Sequence, residues 1–419
     1  MPRNPDQGRA ATLRWHTAAQ VLATLRRVPG ITRAALAREL GLTSGLATEI
    51  VARLRDLRLL TEAPAPVVGR GRPTTVLRPH PEGPVVLALA LRQEDWRAAV
   101  ATVDGRLIEP RRRRHPSREP DAVLATLRRA VDRARDRYGH RLRAVSLAVA
   151  GAIYDDHLVQ AATLGWGAVD LRAVARDTSL PLLLGNDATL AGVAEARAGA
   201  ATTAGTALHL IVEVGVGGTL TIDGRPVTGA HGAAGEYGHL PFGDRALRCP
   251  CGARGCWDLA VDGRALARHL GEPPPVDALS YAWEVIRRAT GAPHPGPDPD
   301  PRSGRRVPAR DGGDPAARRA VDAVAAALGD GIAALVNLHD PDLVTLGGLG
   351  PALRRVAGPA FDDAYAAGLM SVHRAQPPPV VAAAFGDEGP LHGAAVLGLD
   401  HITGESALAE WAAHLRSAD

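Results

Sequence analysis

The chain of 419 residues contains no lysine; all 49 of its basic residues are arginine. That absence removes the phosphate-loop lysine and the lysine Schiff base, and with them two large classes of enzyme chemistry. Aromatics are scarce at 3%, so the cores must be built from Leu, Val and Ala. No apolar run reaches the ~18 residues of a membrane span; the most apolar candidate helix, residues 320–337, carries Asp322 and Asp330. Residues 1–8 are polar with two prolines and do not read as a signal peptide. The expectation is a soluble, cytoplasmic protein with no membrane partner. Cysteine numbers only three, all between positions 249 and 256, an odd cluster that suggests metal rather than disulfides.

What is present is ordinary globular composition, 46% hydrophobic and 22% charged, which excludes disorder of the whole chain. At roughly 150 residues per domain the length suggests two or three domains. Charge is unevenly spread. Residues 1–80 hold 13 Arg against 5 acids, a net of +8, and the remainder holds 36 Arg against 40 acids, a net of −4. A basic first fifth on a mildly acidic body is the pattern of a nucleic-acid-binding module joined to a separate globular unit.

Within that first fifth, Val21, Leu22 and Leu25 recur at helical spacing before a stop at Pro29-Gly30. Thr32 can cap a second helix running to Leu40 and closed by Gly41, and Thr43 or Ser44 a third. Leu46, Ile50, Leu54 and Leu57 form the third helix's predicted inward stripe. These are helix-turn-helix proportions. The run Gly69-Arg70-Gly71-Arg72-Pro73, between two short strand patterns, reads as a wing. Thr43, Ser44, Thr48 and Arg53 would face a DNA major groove, and Arg70 and Arg72 would reach phosphates or a minor groove. A three-helix bundle making protein contacts is the plainer alternative.

Beyond position 84, strand patterns at 85–91, 98–103, 145–150 and 182–184 alternate with helix patterns at 121–138 and 169–178, which argues an α/β body. Four arginines at 111–114 read as a solvated strand edge and receive no role. Residues 291–314, rich in Pro, Gly, Asp and Arg, read as a flexible loop, and 406–416 as an amphipathic helix; the role of both is open. His239, Cys249, Cys251 and Cys256 offer one imidazole and three thiolates, a set that suits a closed tetrahedral structural zinc site; three reduced thiols in a turn is the alternative.

Several motifs together resemble the ROK family of bacterial sugar kinases and sugar-responsive repressors. They are Leu164-Gly165-Trp166, Gly185-Asn186-Asp187-Ala188 with Glu195, and the run Gly229-Ala230-His231-Gly232-Ala233-Ala234-Gly235-Glu236-Tyr237-Gly238-His239. The segment Cys249-Pro250-Cys251-Gly252-Ala253-Arg254-Gly255-Cys256, then Leu346-Gly347-Gly348 and the stretch 391–399, extend the likeness. The N-terminal module resembles that of the repressor branch. The resemblance implies sugar contacts by Gly151, Asn186, Asp187, Glu236, His239 and Asp258, where the family's usual residue at 258 is Glu. Asn186 and Asp187 alone would equally suit a helix-capping turn. Family kinases open the body with an Asp-x-Gly-x-Thr phosphate loop. Here Ala90-Leu91-Arg92-Gln93-Glu94 stands in its place, without the metal-binding aspartate or the glycine, and Val214 takes the hydroxyl position of the second phosphate loop, Glu213-Val214-Gly215-Val216-Gly217-Gly218.

The expected architecture is therefore a winged helix-turn-helix (1–80) and a two-lobed actin/hexokinase-like, ribonuclease H-like ROK domain (84–400), with a helical tail (401–419). Lobe one would span about 84–187 plus the C-terminal segment, and lobe two about 188–385 with the zinc loop 239–256. The expected function is a non-enzymatic, DNA-binding regulator, a repressor by the branch it resembles, that binds operator DNA and a sugar or sugar-phosphate effector as a homodimer or homotetramer. Effector binding would favour one lobe arrangement and so change the spacing of two DNA modules. The rival readings are a sugar kinase with an appended DNA-binding module, and a regulator whose body only dimerises or binds a non-sugar.

Overall fold

The computed structural model describes residues 5–65, 75–154, 157–161, 164–230, 232–291 and 313–418. The chain divides into two compact units, residues 1–190 with 390–419, and residues 191–389. The first begins with α1 (Pro5–Arg27), α2 (Arg33–Glu39) and α3 (Ser44–Asp56), followed by the antiparallel pair β1 (Leu60–Pro64) and β2 (Thr75–Pro79). The capping residues behave as expected: Thr32 Oγ1 accepts the Ala35 amide at 3.1 Å and Thr43 Oγ1 that of Leu46 at 3.3 Å. Gly41 takes the left-handed conformation, φ +62°, that turns α2 toward α3.

The predicted stripe on α3 is rotated. Ala47, Val51 and Leu54 are the buried positions, Ile50 and Leu57 are only partly buried, and Leu46 is 43% exposed. Spacing alone admits both stripes, and the small Ala47 permits the closer approach to α1 and α2. Leu46 is left on the outer face of the first turn.

Strands β3 (Val85–Leu91), β4 (Asp95–Thr102), β5 (Leu107–Arg114), β6 (Leu142–Val149) and β9 (Leu182–Asn186) form one sheet in the order β5-β4-β3-β6-β9. Helix α4 (Pro120–Tyr138) covers one face through Val123, Leu127 and Val131. A small hairpin, β7 (Ala152–Tyr154) and β8 (His157–Gln160), precedes a single 3-10 turn at Leu171–Val174. The helix expected over 169–178 does not form. Val169 is drawn into a bridge with Leu158, and the Asp170 carboxylate takes the Arg172 amide at 3.0 Å, capping one short turn. Helix α5 (Asp187–Ala198) carries the chain out of this unit.

The second unit is built on β10 (Thr206–Val212), β11 (Val216–Ile222), β12 (Arg225–Pro226), β13 (Leu343–Gly348) and β14 (Val380–Ala382), in the order β12-β11-β10-β13-β14. Between β12 and β13 lie α6 (Asp258–Val261), α7 (Gly263–Leu270), α8 (Ala278–Thr290) and α9 (Pro315–His339). After β13 come α10 (Gly350–Val356), α11 (Gly358–Gly368) and α12 (Ser371–Ala375). Among the described helices, α9 alone is long and apolar enough to cross a membrane, and its Val321, Val324, Leu328, Ile332 and Val336 make the centre of this unit's core. Trp257 anchors the cysteine segment to that core. Its indole N–H donates to the Ala327 carbonyl at 2.9 Å, and Gly331 leaves room for the ring, since a Cβ there would lie 2.2 Å from it.

The chain then returns to the first unit. Helix α13 (Gly389–Ile402) covers the second face of the first sheet through Leu391, Ala394, Ala395 and Leu399. Helix α14 (Glu405–Ala418), the predicted amphipathic tail, packs Leu408, Trp411 and Leu415 into the core of the N-terminal module beside Leu22, Leu25 and Leu54. The Trp411 indole donates to the Leu57 carbonyl at 2.8 Å, and Arg26 on α1 pairs with Asp400 at 2.8 Å. Trp411→Ala is expected to destabilise the transition that unfolds the N-terminal module by about 3–5 kcal/mol in urea titrations followed by circular dichroism. An unchanged midpoint would show that the tail does not hold the module.

Candidate functional site

The described DNA-facing candidates sit at the start of α3 and along it. Thr43, Ser44, Thr48 and Leu46 are exposed along the outer face of the first two turns of α3. Thr48 Oγ1 donates to the Ser44 carbonyl at 2.8 Å, so this hydroxyl is partly engaged in its own helix. Arg53 is turned elsewhere, its guanidinium lying 4.5 Å from the centre of the Trp15 ring. Arg70 and Arg72 lie outside the described residues. Leu46 was missed as a surface candidate because its apolarity assigned it to the core; the competing Ala47-Val51-Leu54 spacing was the available signal.

In the second unit the metal candidates converge. His239, Cys249, Cys251 and Cys256 place their donor atoms within 4.8 Å of one another. Cys251 Sγ lies 3.6 Å from Cys256 Sγ, and His239 Nδ1 lies 3.9 Å from Cys249 Sγ. A tetrahedral N/S set around one ion spans roughly 3.5–3.8 Å along each edge, so the residues fit such a site. Gly252 and Gly255 adopt φ of +98° and +73°, which lets the backbone fold around the cluster. Burial, with the neighbouring thiols, pushes the Cys256 thiol up to about 12, and burial also raises Cys249. For Cys251, burial acts upward, but the Ala253 amide and the other thiols leave it below its ordinary value. The raised Cys249 and Cys256 thiols stay protonated at neutral pH unless a cation replaces their protons.

The His239 ring faces two ways. Nδ1 is directed at Cys249 and lies 3.4 Å from Asp258 Oδ2, whereas Nε2 lies 3.8 Å from Glu236 Oε2. Burial raises the carboxyl pKa of Glu236, with His239 opposing and Asp258 adding to the shift; its side chain is 47% exposed. Asp258 is set deeper. Its Oδ1 takes the Val216 amide at 2.6 Å, and a Cβ at Gly238 would lie 1.8 Å from that oxygen. Burial raises its pKa as well. One oxygen of Asp258 is thus committed to the protein, leaving Oδ2 beside the imidazole.

The remaining polar candidates belong to the first unit. Asn186 Nδ2 donates to the Gly151 carbonyl at 3.0 Å, and its Oδ1 takes the Thr189 amide at 3.0 Å, capping α5. Asp187 Oδ1 takes the Ala188 amide at 2.8 Å. Gly151 is hemmed in, since a Cβ would approach the Gln160 carbonyl to 2.7 Å. Asn186 thus fills the helix-capping role, and its two amide ends fix its orientation.

Both phosphate-side hairpins are filled by the protein's own groups. At the turn between β3 and β4 the Arg92 amide donates to the Asp95 carbonyl at 2.9 Å. A carboxylate does stand there, one residue past the aligned loop. Asp95 is buried and held by Arg112, whose Nε lies 2.6 Å from Oδ2. In the second hairpin the Val216 amide serves Asp258, and the Val214 carbonyl accepts from Arg264 at 2.8 Å.

The ROK family's sequence profile matches residues 87–401, and that of the MarR family matches residues 16–71. A solved ROK family transcriptional regulator, a homologue of the E. coli MLC protein, superposes with a TM-score of 0.71 at 20% identity, covering 96% of this chain and 99% of its own. A glucokinase of Streptomyces coelicolor is 28% identical over 255 residues, which are 60% of this chain and 77% of that protein. A xylose repressor of Caldicellulosiruptor bescii is 28% identical over 190 residues, 45% of each chain. With a family match across most of its length and a winged helix ahead of it, the chain belongs to the ROK family, in the architecture of that family's transcriptional regulators.

Proposed function

We propose that this protein is a sugar-responsive repressor that binds operator DNA through α2, α3 and the wing, and that it does not phosphorylate its effector. The single observation that carries the non-enzymatic part is the β3–β4 turn. Phosphoryl transfer depends on amides and a metal-binding carboxylate aimed at the donor phosphates. Here the Arg92 amide is bonded to Asp95 O, the Asp95 carboxylate is paired with Arg112, and Glu94 in the turn itself lies 3.4 Å from Arg118. Similarity to a xylose repressor and to a glucokinase supports a sugar or sugar phosphate as the effector class.

The effector would use Asn186, Asp187, Glu236 and His239, with Gly151 and Asp258 supporting Asn186 and His239. Carboxylates and amides suit vicinal hydroxyls, since each can accept or bridge two O–H groups. His239 Nδ1 and the three cysteines would hold a structural zinc ion, which supplies a closed tetrahedral clamp with no open position for catalysis. With Nδ1 so engaged, the ring carries its proton on Nε2, the nitrogen that faces Glu236. The metal set would thus orient a ligand-binding donor. A homodimer or homotetramer would place two recognition helices on a two-half-site operator.

Four outcomes follow from this reading. Elemental analysis of purified protein should find about one zinc per chain, and Cys256→Ser should lose it together with thermal stability. Calorimetry against a panel of hexoses, pentoses, amino sugars and their phosphates should find a binder whose affinity falls about tenfold or more in both Asp187→Asn and Glu236→Gln. A coupled assay with ATP and that sugar should show no turnover; measurable turnover would restore the kinase reading. Operator affinity at fixed salt should change when the sugar is added, and constancy across the panel would favour a body that only dimerises.

A further inference from the structure

The four arginines at 111–114 lie on β5, the edge strand of the first sheet. Alternation along the strand splits them. Arg112 turns to Asp95, whereas Arg111 and Arg113 belong with the face that α4 covers. From α4 itself, Arg129 and Arg133 stand one helical turn apart and are exposed. Arg111 and Arg133 line one shallow groove of about 40 Å³, floored by Val100, Ala130 and Ala134. Among the described residues, none of Arg111, Arg113, Arg129 and Arg133 has an ion pair or hydrogen bond. The nearby acids are occupied: Glu109 pairs with Arg137 at 2.7 Å and accepts from Tyr138 at 2.8 Å, and Asp132 pairs with Arg135 at 3.8 Å. Arg133 lies below the ordinary guanidinium value, through burial first and then the nearness of Arg111, Arg113 and Arg129. A solvated edge that discourages strand pairing would account for 111–114, but not for two further guanidinia brought to the same face by a helix.

We propose that Arg111, Arg113, Arg129 and Arg133 form a second contact surface for the phosphate backbone of duplex DNA, outside the segment read by the winged helix. Guanidinium forks suit phosphate oxygens, and the nearby acids Glu109 and Asp132 are paired with other arginines, which leaves these four available to a polyanion. The surface is a local reversal of sign in a body whose net charge is −4. Duplex DNA is favoured over an acidic protein because the same compact unit carries the DNA-binding module and the surface's charge matches a phosphate backbone. Such contacts add affinity and salt dependence without reading sequence.

This inference rests on the DNA-binding reading, and one experiment separates the two. A duplex selected by the full-length protein from a random-sequence pool is prepared in forms of about 20 and about 60 base pairs with the same centre, and affinity is measured against salt. The wild type should bind the longer form more tightly, with a steeper salt slope. Substituting all four residues by Gln should leave the short form unchanged and lower the slope on the long form by about 2–4, one phosphate contact being worth about 0.9. A charge-matched control, Arg225, Arg318, Arg319 and Arg355 to Gln, should not. If the four-fold variant keeps the full advantage of the long duplex, or if the control loses as much, the surface is not a DNA contact. Failure to select any duplex would instead overturn the DNA-binding reading itself.

Discussion

The Trp411–Leu57 hydrogen bond and the apolar side chains around it are what make the N-terminal module part of a larger unit. A three-helix winged module of this size has a small core, and here Leu408, Trp411 and Leu415 enlarge it from the other end of the chain. Arg26 bonds to both Asp400 and Thr403, so α1 is tied to the end of α13, which itself lies on the first sheet. Any sugar-dependent change in that sheet has a packed route to the recognition helix. A module on a flexible tether would offer none.

The second constraint is local. Trp257 is fixed on α9, and the residues on either side of it, Cys256 and Asp258, are held where the metal set and the polar set meet. His239 belongs to both sets through its two ring nitrogens. The candidate metal cluster and the carboxylates of Glu236 and Asp258 thereby share one imidazole.

The helices of the N-terminal module, strand β3 and the cysteine spacing were legible because each is encoded by local pattern: caps, an unbroken apolar run, and donor residues a few positions apart. The rotated face of α3 was not, since Leu46 and Ala47 satisfy helical periodicity equally and only packing against α1 and α2 separates them. Residues 169–178 carry a helical pattern that the bridge from Val169 to Leu158 overrides. The destination of the tail was hidden for a different reason: its amphipathic stripe is plain, but its partner lies 354 positions away. The candidate ligand residues were found through motif likeness. The engagement of Asp258 by the Val216 amide, and of Asp95 by Arg112, depends on neighbours that the sequence does not place beside them.

The Asp95–Arg112 pair, a buried carboxylate under a half-exposed guanidinium, has a consequence for the β3–β4 turn. Restoring a phosphate loop at the β3–β4 turn would require freeing the Asp95 carboxylate both from Arg112 and from the buried Arg97, whose Nε lies 3.8 Å from Oδ1, so no single substitution at the sheet edge releases it. Replacing Asp95 first would strand a guanidinium on the sheet edge and still supply no glycine. A phosphate loop at this turn therefore needs at least two coordinated changes, a released carboxylate and a glycine that lets the backbone approach phosphate.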